Sequence, residues 1–207
     1  MSRASTRGTP ILLASGSPRR RDFLASVQIP FEVVRPEVDE TPRPGEPPDE
    51  TVRRLAEAKA EAGHELCPRG AGLVLAADTE VVLDRRALGK PRERADARAM
   101  LAELSGRDHD VITGFCLLDQ ASGRREIGLA ATRVWFRALD GDEIAGYVDT
   151  DEPLDKAGAY ACQGIGAFLI ARVEGSYTNV VGLPLGQVIE TLRRMGGPLP
   201  FPGRRNG

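Results

Sequence analysis

The chain is poor in what many familiar sites are made from. Aromatic residues are only 5% of its 207 positions, which disfavours a single-strand nucleic-acid binder built on stacking platforms. Histidine occurs twice, at 64 and 109, and cysteine three times, at 67, 116 and 162. The cysteines are odd in number, far apart and without metal-ligand spacing, so no zinc cluster assembles and a reducing, cytoplasmic setting is expected. His64 is expected on a polar helix end and His109 in a charged turn, both surface or structural. There is no Cys/His constellation and no serine nucleophile elbow. Excess charge is missing too: 28 basic residues against 30 acidic ones leave a net charge of -2, which excludes a strong general attraction for nucleic acid. No long apolar run is present, and the first ten residues are rich in Ser, Thr and Arg, so neither a signal peptide nor a membrane span is expected.

What is there is an alternation of short apolar runs and helical periodicities, without internal repeats, over a length that fits one domain or a bilobed one. The stretch 11–27 sets the pattern. Ile11-Leu-Leu-Ala has the length of a buried strand, Ser17 stands where an N-cap belongs, and Pro18 occupies the first helical position. A strand that ends in a Gly/Ser turn and opens a helix presents free N–H groups and a positive dipole end, which suits an anion. Arg19 and Arg20 carry the wrong sign for that helix end, at about 0.3–1 kcal/mol each. Either an anion reverses the interaction or the two arginines point into solvent. Gly16 is a lone glycine, so this is not a Walker loop.

Further along, the pattern predicts a strand at 31–34, an acidic proline-rich loop at 36–48 carrying Glu40, and a helix over 50–66. Lys59 falls on the apolar face of that helix, where it either snorkels or enters a cleft. The run 73–77 reads as a central strand ending at Asp78-Thr79, with 80–83 continuing it after a bulge. A helix over 94–104, hairpin strands at 110–118 and 128–136, and a helix over 140–149 follow. A glycine-rich segment at 155–166, a strand at 168–173 and a final helix over 185–195 complete the chain. The expected class is α/β, a mixed twisted central sheet flanked by helices. The domain spans 10–195, between a flexible N-terminus at 1–9 and a disordered tail at 196–207.

Several polar residues invite a chemical reading. Asp78 follows an apolar strand, so its carboxylate emerges at the sheet's C-terminal edge, where ligands of open α/β folds bind, or else caps a turn. Glu40 is either a second acid for the same site or plain surface. Lys90 is restricted between Gly89 and Pro91, and Lys156 lies in a glycine-rich segment able to approach a ligand. A carboxylate pair among lysines and two arginines suits phosphoanhydride chemistry, with Mg²⁺ held by one or two carboxylates and the substrate phosphates.

These motifs stand in a specific order. It runs Leu-Ala-Ser-Gly-Ser-Pro-Arg-Arg (13–20), Val-Asp-Glu (38–40), Ala-Glu-Ala-Lys-Ala (56–60), Ala-Ala-Asp-Thr (76–79) and Gly-Lys-Pro (89–91). Leu-Ser-Gly-Arg-Asp-His-Asp-Val-Ile-Thr-Gly (104–114) comes next, and the series ends with Asp-Lys-Ala-Gly-Ala-Tyr through Gln-Gly to Val-Val-Gly-Leu-Pro-Leu (155–185). In this the chain resembles the Maf family of nucleoside triphosphate pyrophosphatases from about residue 10 to 195. The resemblance implies two lobes with a cleft between them, a homodimer, and dependence on a divalent metal, Mg²⁺ or Mn²⁺. It implies hydrolysis of a small-molecule nucleoside triphosphate to the monophosphate and pyrophosphate, with no stable nucleic-acid partner and no membrane.

By the same resemblance Asp78 is the proton acceptor, and Arg19, Thr79 and Gln163 govern substrate choice in the manner of the dTTP/UTP subgroup. Modified pyrimidine nucleotides are further expected substrates. A glutamine amide can meet the N3–H and a carbonyl of uracil or thymine. Arg19, Arg20, Lys59, Lys90 and Lys156 would grip phosphates, while Glu40 and Asp78 organise metal and water. Two departures stand out: Ala161-Cys162 before Gln163, and Glu80 where an apolar residue is common. The rival readings are a purine or 7-methyl-GTP pyrophosphatase and a non-catalytic nucleotide-binding regulator of cell division.

Overall fold

Two apolar runs, Leu73-Val-Leu-Ala-Ala and Val81-Val-Leu, join into one strand of 11 residues, β3 (Leu73–Leu83), in the computed structural model, which describes residues 9–67 and 72–201. No bulge interrupts it. β3 pairs antiparallel with β5 (Asp108–Asp119) from Leu73 opposite Asp119 to Val82 opposite Asp110 without a slip. Strong strand formers on both sides of Asp78-Thr79-Glu80 carry the polar triplet through the ladder, so Asp78 lies inside the strand and not at its end.

The other edge of β3 is shared. β1 (Ile11–Ala14) runs parallel to it, placing Leu12 opposite Val74 and Leu13 opposite Leu75. The short β4 (Arg86–Leu88) pairs antiparallel with Val81, Val82 and Leu83. Between them, residues 76–80 have no strand partner on that side among the described residues. The sheet is completed by β2 (Phe31–Val34) beyond β1, and by β6 (Arg125–Phe136) and β7 (Ile170–Glu174) beyond β5. The order is β2-β1-β3-β5-β6-β7, parallel at β1 and antiparallel elsewhere, a mixed sheet as expected.

Both faces of lower β3 are covered, which is why its run is continuously apolar. Val74 and Ala76 pack with Ala56 and Ala60 of α2 (Pro48–Leu66). Leu75 and Ala77 pack with Leu24 of α1 (Pro18–Ser26) and with Val188 and Leu192 of α6 (Leu185–Met195), which follows the short α5 (Tyr177–Val180). Gly114 of β5 makes the first contact possible: a Cβ there would stand 2.4 Å from the Val52 carbonyl oxygen of α2. A second core forms the other lobe, where Val81, Leu83 and Val111 meet Leu101 and Leu104 of α3 (Arg94–Leu104) and Val148 of α4 (Gly141–Val148). Among the described residues no helix is long and apolar enough to cross a membrane.

Packing continues past Met195: Gly197 and Pro198 are buried and Leu199 joins the α1/α6 core, so the chain stays folded into the expected tail. The rest of that tail from 202, and residues 1–8 of the expected flexible N-terminus, lie outside the described residues.

His109 is not in a turn. It sits within β5, 3% exposed, because the strand's alternation sends Asp108 and Asp110 outward toward Arg133 and His109 into the second core. Its Nε2 lies 2.8 Å from the Tyr160 hydroxyl, and burial pushes its pKa down to about 4, against the weaker upward pull of Asp110 and Asp108. The unfolded chain takes up this proton near the ordinary 6.5, before the folded one does, so stability falls as pH drops from 6.5 toward 4. His109→Gln should flatten that slope relative to wild type, by on the order of 2–3 kcal/mol at pH 4. Urea unfolding across this range is the measurement, and parallel curves for the two proteins would refute it.

Candidate active site

The upper part of that gap, residues 78–80, lines a cleft of about 970 Å³ between the lobes. Lys59 and Asp78 meet at its centre. Asp78 and Glu80 share the α2 face of β3, whereas Thr79 points to the opposite face. From α2 the Lys59 Nζ reaches Asp78 Oδ1 at 2.6 Å and Glu40 Oε1 at 2.6 Å, so one ammonium bridges two carboxylates far apart in sequence. The apolar-face lysine of α2 therefore enters a cleft. Burial works to raise the Glu40 pKa, but the hydrogen bond and charge of Lys59, with the charges of Lys90 and Arg20, outweigh it and hold the group low.

Glu40 is brought in by its proline-rich loop, and that loop is anchored. Arg54 of α2 takes Glu46 with two 2.6 Å bonds and donates to the Thr41 carbonyl at 3.3 Å. Proline stiffens the segment and the Arg54–Glu46 fork seats it on α2.

On the other face of β3, Arg20 is the organiser. Its guanidinium donates to the Gly182 carbonyl at 2.8 Å, to Ser15 Oγ at 3.1 Å and to Thr79 Oγ1 at 3.2 Å. Burial lowers its pKa, as does the like charge of Arg19, while Asp78 pulls the other way. Thr79 Oγ1 also lies 2.9 Å from Thr113 Oγ1, so its hydroxyl is already engaged. Behind Thr113, the buried Asn179 donates to the Val111 carbonyl and to Thr132.

The nine residues expected from the sequence, Arg19, Arg20, Glu40, Lys59, Asp78, Thr79, Lys90, Lys156 and Gln163, all line this one cleft. Their availability differs. Lys156 is held by the Glu152 carbonyl at 2.6 Å and by Asp155. The side chains of Arg19, Lys90 and Gln163 make no hydrogen bond or ion pair with the described residues and face the cleft. The two neighbouring arginines thus split the alternatives their sequence left open, Arg20 being built into the fold and Arg19 facing the cleft.

Glu80 is half-buried beside this centre with Oε2 unpartnered, and its pKa is pushed up to about 7 by burial, then by Asp78 and Glu46. Ser15, Arg54, Thr113, Glu152 and Asn179 were not anticipated. Of these, Ser15, Thr113 and Asn179 lie within the motif segments, and none of the five carries a local signal of its role.

Arg20→Lys should lose about 1–3 kcal/mol in urea unfolding, because one ammonium cannot replace the fork to Ser15, Thr79 and Gly182. Arg19→Lys should stay within about 0.5 kcal/mol of wild type. Equal losses at the two positions would refute the division between them.

The comparisons with known proteins bear on this geometry. A family model described as Maf-like protein matches residues 10–195. A dTTP/UTP pyrophosphatase of Myxococcus xanthus (strain DK1622) is 53% identical over 195 residues, 93% of this chain and 96% of that protein. A dTTP/UTP pyrophosphatase of Syntrophus aciditrophicus (strain SB) is 50% identical over 193 residues, 93% of this chain and 93% of that protein. A solved structure described as a nucleoside-triphosphatase / dITP/XTP pyrophosphatase from Mycobacterium abscessus is 17% identical, with a TM-score of 0.43 over 90% of this chain and 94% of that one.

Proposed function

The chain belongs to the Maf family, and on that premise we propose that it hydrolyses dTTP and UTP to the nucleoside monophosphate and pyrophosphate. The observation that carries the reading is the bridge of Glu40, Lys59 and Asp78 at the centre of a cleft that also holds Arg19, Arg20, Lys90 and Lys156.

Two carboxylates that converge on one nitrogen suit a divalent cation that arrives with a triphosphate. A cage made by the protein alone is not on offer, since no group of three or more His, Cys, Asp or Glu among the described residues could hold a metal. Glu40 and Asp78 are the residues that would hold Mg²⁺ or Mn²⁺, which when bound neutralises phosphate charge.

Arg19 and Lys90, which line the cleft, take phosphate oxygens, and Lys156, held by the Glu152 carbonyl, adds its charge. Asp78 accepts the proton of a water that attacks the α-phosphorus. The bond from that phosphorus to the bridging oxygen breaks, and pyrophosphate leaves with its charge opposed by these cations. Lys59 keeps the Asp78 carboxylate aimed. Thr79, its hydroxyl spent on Arg20 and Thr113, contributes by holding Arg20. Gln163, on the lining of the cleft, pairs its amide with the N3–H and a carbonyl of the pyrimidine.

The same proposal extends to modified pyrimidine nucleotides, to a homodimer on the family resemblance, and to the cytoplasm, which three free cysteines support. Asp78→Asn should keep the fold while lowering kcat for UTP by about 10²-fold or more. Release of UMP and pyrophosphate with Mg²⁺ is the assay, and unchanged turnover would take Asp78 out of the mechanism.

A further inference from the structure

Gln163 sits in a stretch with little regular structure of its own: 161–164 belong to no helix or strand, and Ile165–Leu169 is a 3-10 turn. What holds the stretch is one carboxylate and one phenol. Glu152 Oε2 accepts the Tyr147 hydroxyl at 2.8 Å and the Gly166 N–H at 2.8 Å, and Oε1 accepts the Ile165 N–H at 3.0 Å. The Tyr147 oxygen in turn accepts the Ala161 N–H at 3.1 Å. Gln163 is therefore tethered from both sides, two residues before and two to three after.

The two glycines that frame this tether now have a physical reason. A Cβ on Gly164, whose φ is +82°, would stand 2.3 Å from Glu152 Oε1, and one on Gly166 would stand 2.4 Å from the Tyr147 oxygen. The backbone lies directly on the pair, and only glycine permits the approach. Burial of the carboxylate opposes its ionisation, but the three donors and the charge of Lys156 outweigh it and hold its pKa low. Tyr147 is buried on α4, so the tether is rooted in the second core.

We propose that Glu152, acting through the backbone it binds and together with Tyr147, is a positioning residue for substrate choice, fixing Gln163 where its amide meets the pyrimidine ring. This rests on the dTTP/UTP reading above. Its neutral isostere cannot do the same work, because a glutamine at 152 turns an NH₂ toward a backbone N–H that needs an acceptor.

The test compares wild type, Glu152→Gln and the milder Tyr147→Phe with UTP and with CTP, which presents the opposite donor and acceptor at the same ring positions. In Glu152→Gln, kcat/KM for UTP should fall about 10- to 100-fold, chiefly through KM. CTP should change by less than about threefold, so the preference narrows about tenfold. Tyr147→Phe, which leaves the carboxylate its two amides, should lie between. A general structural lesion would lower both substrates by one factor, and that result, or an unchanged ratio, overturns the proposal.

Hydrogen exchange separates this idea from the reading it stands on. Amides of Ala161, Ile165 and Gly166 should lose protection in Glu152→Gln while those of β3 and β5 keep theirs, whatever the enzyme hydrolyses. Unchanged protection overturns the tether, whereas wild-type protein inert toward UTP overturns the proposed function alone.

Discussion

Backbone pairing along β3 is complete on one side and divided on the other, and the functional cleft depends on that division. Ten consecutive residues of β3 oppose β5 in register, which holds the strand straight through three polar side chains. On the opposite edge β1 stops and β4 has not yet begun. A strand alternates its faces, so within the gap Asp78 serves the α2 side and Thr79 the α1/α6 side. The two lobes grow from the same strand, one core below the gap and one above it. The cleft is thus a consequence of strand lengths, and it needs no hinge to exist.

Charge in the cleft is arranged as a balance around that gap. Lys59 lies between Glu40 and Asp78, 2.6 Å from an oxygen of each, and offsets the repulsion between the two carboxylates. Glu80, one strand repeat from Asp78, makes no ion pair among the described residues, and burial with the charges of Asp78 and Glu46 outweighs the pull of Arg54 and pushes its pKa up to about 7. Arg20 contributes less as a free cation than as a connector, since its three bonds tie the loop after β1 to β3 and to Gly182. Arg19 and Lys90 complement it, their side chains unbonded among the described residues.

Much of this was legible in the residues, and the failures have physical causes. The ordered motifs bring all nine expected site residues to one cleft, although Lys59 lies within a helix and Asp78 and Thr79 within a strand. Asp78 was expected at a strand's end because polar triplets usually terminate strands, and here cross-strand pairing overrode the local signal. His109 was expected in a turn because four charged or polar residues in a row hide a period of two. Glu152 left no trace because its role lies in accepting backbone N–H groups of residues 165 and 166, and contact with main chain imposes no pattern on the sequence.

The open edge of β3 has one more effect. An unpaired strand edge normally invites a foreign strand and so promotes aggregation. Here the segment without a strand partner is five residues long, about 17 Å at the rise of an extended chain; Ala76 and Ala77 within it are buried, and β1 and β4 close it at either end. An intruding strand would have to be shorter than the gap and reach the bottom of a cleft lined with cations and acids. The protein thereby keeps a stretch of main chain open to a small molecule while denying it to another polypeptide.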